Sequence, residues 1–168
     1  MAIDFSSPFL RKHERTLKRA DGYALDLPCG SGRNLAVLER FGYTVTSADI
    51  ATENFLPEVT PVRSSNLPLQ IDGYTYVNDF NQKFDLVAVI HPPHHAMLDV
   101  LSKYVRIGGL LVFETFGAQG KNWTLLPSAG EIERKLIDSF DLIVYDEKVC
   151  RQSPSNVTVK LIGRRLPV

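Results

Sequence analysis

The sequence predicts an α/β protein: a mostly parallel sheet with helices on both faces and an antiparallel C-terminal hairpin at one edge. Three observations carry that expectation. The stretch YALDLPCGSGRN (residues 23–34) is an apolar run ending in a two-glycine loop, followed at once by Leu35, Leu38 and Phe41 at helical spacing. The stretch FDLVAVI (84–90) is apolar throughout except for Asp85, the pattern of a central strand buried on both faces. Strand-like and helix-like segments then alternate along the chain, which argues a sheet sandwiched between helices. Strand, glycine loop and helix form the opening unit of a nucleotide-binding, Rossmann-like, doubly wound sheet.

Taken in order, the elements read as follows. Ser7-Pro8 is a helix start, with Ser7 capping and Pro8 in the first turn, and the helix runs to about Lys18. It carries Arg11, Lys12, Arg15, Lys18 and Arg19, read as a solvated face or as a lid or basic patch near a ligand. The first strand covers 23–27 and the second is TVTSAD, closed by Asp49. A short helix at 51–55 stops at Pro57, and a third strand falls within 59–67. After the strand at 84–90, a helix is expected from about Pro93 to Val105, with Ala96, Met97, Val100, Leu101 and Tyr104 as its apolar stripe. Gly108-Gly109 reads as the turn into a strand over 110–116. Ser128 to Glu131 is S-x-x-E, a capping box for a helix to about Ser139. Strands at 141–145 and 157–162 complete the edge hairpin.

Length and composition bound the rest. A chain of 168 residues is expected to form one domain, with 1–20 as an N-terminal helix and 21–168 as the core. A formal net charge of +0 supplies no global attraction to nucleic acid or anionic membrane. No signal peptide is apparent, and no apolar run approaches the roughly 18 residues of a membrane span, so a reducing cytoplasm is the expected location. Cys29 and Cys150 lack metal-ligand spacing. A monomer or weak homodimer is expected.

The glycine loop speaks to the ligand. Gly30 and Gly32 allow backbone angles closed to other residues and let a ligand approach the main chain. Leu35 stands where a dinucleotide fingerprint has its third glycine. Asp26, at the strand end, would repel a pyrophosphate and suits a ligand carrying an ammonium group. Asp49 lies about 20 residues beyond the loop, where an acid holds ribose hydroxyls. The two acids bracket a ligand with an amine at one end and a ribose at the other, a description that S-adenosylmethionine fits.

LDLPCGSGRN resembles the first motif of the class I S-adenosylmethionine-dependent methyltransferases, TVTSADIA the second, and FDLVAVI the fourth. GGLLVFETFG resembles the strand that follows, and the likeness runs from about Ala24 to Leu166. It is nearest to the small tellurite-resistance-type branch, in which an ETF strand end precedes a segment matched here by Leu126-Pro127-Ser128-Ala129-Gly130-Glu131. The resemblance implies a cofactor site made of Asp26, Leu27, Pro28, Gly30, Ser31, Gly32, Asn34, Asp49, Ile50 and His91. In the family an acidic or amide side chain beyond the third strand contacts the adenine amino group, and Asn66 or Asp72 could fill that place. His91-Pro92-Pro93-His94 resembles, more loosely, the Asn/Asp-Pro-Pro-Tyr/Phe motif of amino-group methyltransferases, with histidine at both outer positions.

Methyl transfer from a sulfonium asks the protein mainly for proximity and orientation, with a general base where the acceptor carries a proton. His91, His94 and His95 are the candidate catalytic residues, since imidazole titrates near neutral pH. The alternative for each is a polar residue that caps the following helix. A metal site from His91, His94, His95 and Glu114 lacks convincing spacing, so no metal is expected. The leading expectation is methylation of a small-molecule acceptor. The alternatives are a methyltransferase acting on nucleic acid or protein, favoured by a large basic face around the cleft, and a non-catalytic module that binds the cofactor. An NAD-dependent oxidoreductase is disfavoured by Asp26 and Leu35.

Overall fold

The computed structural model describes residues 5–49, 68–71, 74–77, 82–118 and 122–167. Its centre is the strand pair β1 (Tyr23–Asp26) and β5 (Phe84–Ile90), which run parallel with Ala24 opposite Leu86 and Asp26 opposite Ala88. All seven β5 residues are buried. On one side β1 pairs in parallel with β2 (Thr44–Ser47). On the other, β5 pairs in parallel with β6 (Val105–Glu114), and β6 pairs antiparallel with β8 (Ser153–Arg165). The edge strand is β7 (Phe140–Cys150), antiparallel to β8. The order β2-β1-β5-β6-β8-β7 reverses direction between β1 and β5, so the crevice beyond the carboxyl ends of those two strands is the switch point where such sheets bind ligands.

The period-2 alternation of side chains divides the core into two layers. Leu25, Val87, Val89, Leu111 and Phe113 face one way, onto Met97, Leu98 and Leu101 and onto Ile132 and Leu136. Ala24, Leu86, Ala88, Ile90, Leu110 and Val112 face the other, onto Phe9, Leu10, Leu17, Val37, Leu38 and Phe41. Each fully buried Leu or Phe contributes about 1.5–3 kcal/mol by leaving water, so both helical layers are held by their apolar stripes.

The helices are shorter than the sequence pattern suggests. The N-terminal helix is two pieces, α1 (Pro8–Lys12) and α2 (Glu14–Leu17). The break falls at His13, whose N–H is shared between the Phe9 and Leu10 carbonyls and whose ring packs edge-on against Phe9. The start is as expected: the Ser7 side chain accepts from the Phe9 N–H and Pro8 stands in the first turn. α3 (Leu35–Arg40) follows the glycine loop. The expected helix over 93–105 is instead a 3-10 turn (His95–Met97), one α turn α4 (Leu98–Leu101) and a second 3-10 turn (Ser102–Tyr104). It ends early because Val105 pairs with Phe84 and starts β6. Gly108-Gly109 therefore lies inside β6, not before it. A Cβ on Gly109 would sit 2.9 Å from the Asp85 and Arg106 carbonyl oxygens, a closeness only glycine permits.

A 3-10 turn (Asn122–Leu125) precedes α5 (Glu131–Leu136), which stops before Ser139 because Phe140 opens β7. Half of the capping box is present: the Glu131 carboxylate accepts the Ser128 N–H at 3.0 Å. The last two strands outrun the expected 141–145 and 157–162, since an edge hairpin needs burial on one face only. β3 (Pro68–Ile71) and β4 (Tyr74–Val77) form a separate antiparallel pair that the sequence pattern did not suggest. The helix expected at 51–55 and the strand expected in 59–67 lie outside the described residues.

At the end of the central pair away from the crevice, Asp85 is buried and fully engaged. Its carboxylate accepts the Tyr23 N–H at 2.8 Å and pairs with Arg19 at 2.8 Å and Arg106 at 3.0 Å. One side chain thus joins the N-terminal segment, β1, β5 and the start of β6. Asp85→Ala is expected to cost about 2–3 kcal/mol in urea unfolding, chiefly by stranding the Tyr23 N–H, because both arginines stay half in water. A loss below about 0.5 kcal/mol would mean that the brace contributes nothing net.

Candidate functional site

Four strand ends meet at the crevice. Asp26 closes β1, Ser47 closes β2, His91 follows β5 and Glu114 closes β6. The loop after β1 is held open by Gly30 and Gly32 at φ of 57° and 82°, and the Leu27–Pro28 peptide is cis. Cys29 N–H and Gly32 N–H are bonded to the carbonyls of Ala48 and Cys29. No atom lies within 4 Å of where a Gly30 side chain would begin, so there the glycine serves the backbone angle, not a close approach.

Asp26 is the outlier of the site. It is completely buried, yet neither carboxylate oxygen has a hydrogen-bond partner among the described residues. The Ser47 hydroxyl, on the residue paired with Asp26 across β1 and β2, is likewise buried and unpartnered. Burial raises the Asp26 carboxyl to about 7; nearby Asn34 and Arg33 oppose the rise and Asp49 adds to it. Asn34 is close enough to act on the carboxylate but does not close a hydrogen bond of good geometry, so the acid remains orphaned. A buried acid of this kind costs several kcal/mol unless a donor or cation arrives to meet it.

Asp49 is half-buried and turned to the loop, accepting the Gly30 N–H at 2.8 Å. Burial, reinforced by Asp26 and Asp49, pushes the Cys29 thiol up, which makes it a packing residue and not a nucleophile. Asn34 is buried at the head of α3, and its Oδ1 accepts the Ser7 N–H at 3.0 Å. Leu27 is buried, while Pro28 and Ser31 are half-buried in the loop. Ile50, Asn66 and Asp72 lie outside the described residues.

His91 has φ of 54°, a left-handed backbone in which histidine is uncommon. Its N–H bonds to the Glu114 carbonyl at 2.7 Å. Its Nδ1 lies 2.8 Å from Arg33 Nη2, and since guanidinium only donates, Nδ1 is the acceptor. The remaining nitrogen, Nε2, faces Glu114 Oε1 at 3.8 Å. His94 and His95 do not join it. His94 Nδ1 accepts the Ala96 N–H and caps the 3-10 turn. His95 stacks on His94 and reaches Glu131 Oε1 at 3.0 Å and the Leu125 carbonyl at 3.3 Å, bracing α5. These two side chains hold capping and bracing positions.

Glu114 was weighed as a metal ligand, whereas Arg33, Ser7, Ser47 and Lys160 were not among the expected cofactor or catalytic residues. Glu114 is buried, accepts the Ser7 hydroxyl at 2.6 Å and pairs with Lys160 at 2.9 Å. Burial alone would raise its carboxyl; His91, Ser7 and Lys160 together outweigh burial and hold it down at about 2. Arg33 had a sequence signal, its place directly after Gly32. Ser7 and Lys160 had none, because folding brings them to Glu114 from 107 residues away in one case and from the neighbouring strand in the other. Among the described residues no group of three acids, histidines or cysteines could hold a metal ion, and no helix is long and apolar enough to cross a membrane.

No protein family and no curated protein matches the sequence. Solved structures do match. A tRNA methyltransferase from M. jannaschii superposes with a TM-score of 0.61 at 14% identity, over 98% of this chain and 52% of its own. The N-methyltransferase NodS from Bradyrhizobium japonicum, in complex with S-adenosylhomocysteine, superposes at 0.60 with 16% identity, over 96% and 89%. The fold is that of the Rossmann-like methyltransferases. TehB from Haemophilus influenzae matches at 0.58 with 17% identity, over 95% and 62%. The chain thus spans about half the length of the tRNA methyltransferase and three fifths of TehB.

Asp26 yields a pH prediction. Its folded value of about 7 stands above the ordinary 3.8, so the folded state keeps a proton that the unfolded chain has released. The contribution is fully present below about pH 4 and is lost as the pH rises through about 7, an upper bound of roughly 4 kcal/mol. Asp26→Asn should therefore raise the Tm at pH 8 and make stability flatter than the parent's between pH 4 and 7. Parallel profiles for the two proteins would show that Asp26 is solvated or paired.

Proposed function

We propose that this chain binds S-adenosylmethionine at the β1–β5 crevice and transfers its methyl group to a small-molecule acceptor. The orphaned Asp26 carries the reading. A buried carboxylate without a partner suits a ligand ammonium, and it sits at the switch point beside a glycine loop and a second acid, Asp49, about 20 residues beyond that loop, where an acid in such folds holds ribose hydroxyls. When bound, the sulfonium supplies an already activated methyl, so the protein's task is orientation. Asp26 would take the ammonium, Asp49 the ribose, and the loop backbone at Gly30 to Gly32 the space between. Ile50, with Asn66 or Asp72 at the adenine, completes the proposed set.

Several observations support the reading. Matched structures include NodS and a 1,6-didemethyltoxoflavin-N1-methyltransferase from Burkholderia thailandensis, each with S-adenosylhomocysteine bound. His91, alone among the three histidines, lies at the crevice; its Nδ1 is engaged by Arg33, so a role as base requires that bond to open. His94 and His95 remain candidates only through rearrangement of the caps they make. Placement in the tellurite-resistance-type branch rests on the residues from Glu114 to Phe116 and from Leu126 to Glu131.

A second reading, a nucleic-acid acceptor, has one observation in its favour. An open hollow of about 780 Å³ along α1 and α2 is lined by Arg11, Lys12, His13, Glu14, Arg15, Thr16 and Lys18, with Lys18 paired to Glu14 at 3.6 Å. Among the described residues Lys12 and Arg15 have no ion-pair partner, so this face would attract phosphates.

Calorimetry with S-adenosylmethionine, S-adenosylhomocysteine and NAD tests the proposal: the first two should bind and NAD should not. Asp49→Ala should fold, by circular dichroism, and weaken S-adenosylhomocysteine at least about tenfold, since charge-assisted bonds to ribose are each worth about 1.5–3 kcal/mol. NAD binding without a response to S-adenosylhomocysteine would overturn the reading.

A further inference from the structure

Arg33 and His91 are joined by a contact that the reading above leaves unused. Arg33 follows Gly32 and so belongs to the loop beyond β1; His91 belongs to the loop beyond β5. Their 2.8 Å contact spans the mouth of the crevice. A guanidinium in a folded protein usually meets a carboxylate. Arg33 instead gives a donor to a ring nitrogen, and among the described residues it closes no ion pair, acting on the Asp26 carboxylate only from a distance.

The histidine is held for that purpose. Its left-handed backbone is an unfavourable choice for a side chain, and such strain persists where the surroundings over-determine it. Here the His91 N–H is fixed to the Glu114 carbonyl at 2.7 Å. Nε2 faces Glu114, whose carboxylate is itself anchored by Ser7 and Lys160, so the ring presents Nδ1 to the loop. A buried acid with no hydrogen-bond partner thus lies at the bottom of the crevice, and a guanidinium that closes no ion pair and keeps free donors stands at its mouth. A carboxylate and a guanidinium on one small site match the two charges of a free α-amino acid group.

We propose that Arg33 binds the carboxylate of the cofactor's amino-acid end, opposite the ammonium at Asp26, and that His91 is the positioning residue that aims it. This inference rests on the cofactor assignment above and assigns His91 to ligand recognition in place of proton transfer. The remaining four N–H donors of Arg33 permit a bidentate grip on a carboxylate while Nη2 stays on His91. The clamp would distinguish an intact amino-acid end from ligands that lack one or both of its charges.

The experiment compares three ligands by calorimetry: S-adenosylhomocysteine, decarboxylated S-adenosylmethionine, which keeps the ammonium alone, and 5′-methylthioadenosine, which keeps neither charge. Arg33→Gln should weaken S-adenosylhomocysteine about tenfold or more, and leave the other two within about twofold of the parent. Binding of 5′-methylthioadenosine also reports that the loop is folded in each variant. His91→Ala should shift the three ligands in the same pattern as Arg33→Gln. His91→Asn should restore most of the loss, because asparagine tolerates the left-handed backbone and offers an oxygen to the guanidinium. Equal weakening of all three ligands by Arg33→Gln, or no weakening of S-adenosylhomocysteine, overturns the carboxylate assignment. A His91→Ala variant that binds S-adenosylhomocysteine like the parent overturns the positioning role. Failure of the parent to bind any of the three instead overturns the cofactor assignment on which both rest.

Discussion

The constraint on which the crevice depends is a carboxylate buried without a partner. β1 and β5 are the inner pair of the sheet, and each carries one buried aspartate, at opposite ends. Asp85, at the closed end, is met by a backbone N–H and two arginines. Asp26, at the open end, is met by nothing that satisfies it among the described residues. The first is a brace, since its charge is answered inside the protein. The second, when ionised, makes the fold less stable than the same sheet with a neutral side chain, a burden that a proton or a bound donor removes. The same strand pair therefore separates stability from binding along its length.

Around Asp26 the structure arranges partial compensation that stops short of neutralisation. Arg33 and Asn34 lower the carboxyl without bonding to it, and Asp49 opposes them. Asn34 spends its Oδ1 on the Ser7 N–H, and Ser7 spends its hydroxyl on Glu114, so the N-terminal segment is tied both to the glycine loop and to the end of β6. Phe9 and Leu10, just beyond, are buried against α3. The tie brings the first helix to the rim of the crevice and couples its docking to the geometry of the loop.

Three histidines within five residues make one polar cluster in the sequence, and folding divides it. Pro92 and Pro93 end the strand, and the chain turns so that His91 remains over the crevice while His94 and His95 go to a cap and to α5. Residue type identified all three equally. The distinction lies in backbone direction, because one left-handed residue reorients everything after it.

Much of the fold was legible in local pattern. The continuous apolar run of β5, the glycine loop with its following helix, the Ser7-Pro8 start and the C-terminal hairpin each report a short-range requirement: burial on two faces, a positive φ, a capped N–H or a one-faced edge. Asp26 and Asp49 were legible by position relative to that loop. Helix lengths were not, because tertiary pairing overrides helical periodicity where a strand competes for the same residues, as Val105 does with Phe84 and Phe140 with Arg165. What the sequence by itself determined is the alternation of elements and the acids at their ends. Only the tertiary structure decided which of those charges are answered, since the partners of Glu114 and the company of Arg33 come from distant segments whose approach is set by packing. Hydrophobic burial carries no information about which polar groups will meet, whereas the finished sheet leaves each one a single set of neighbours.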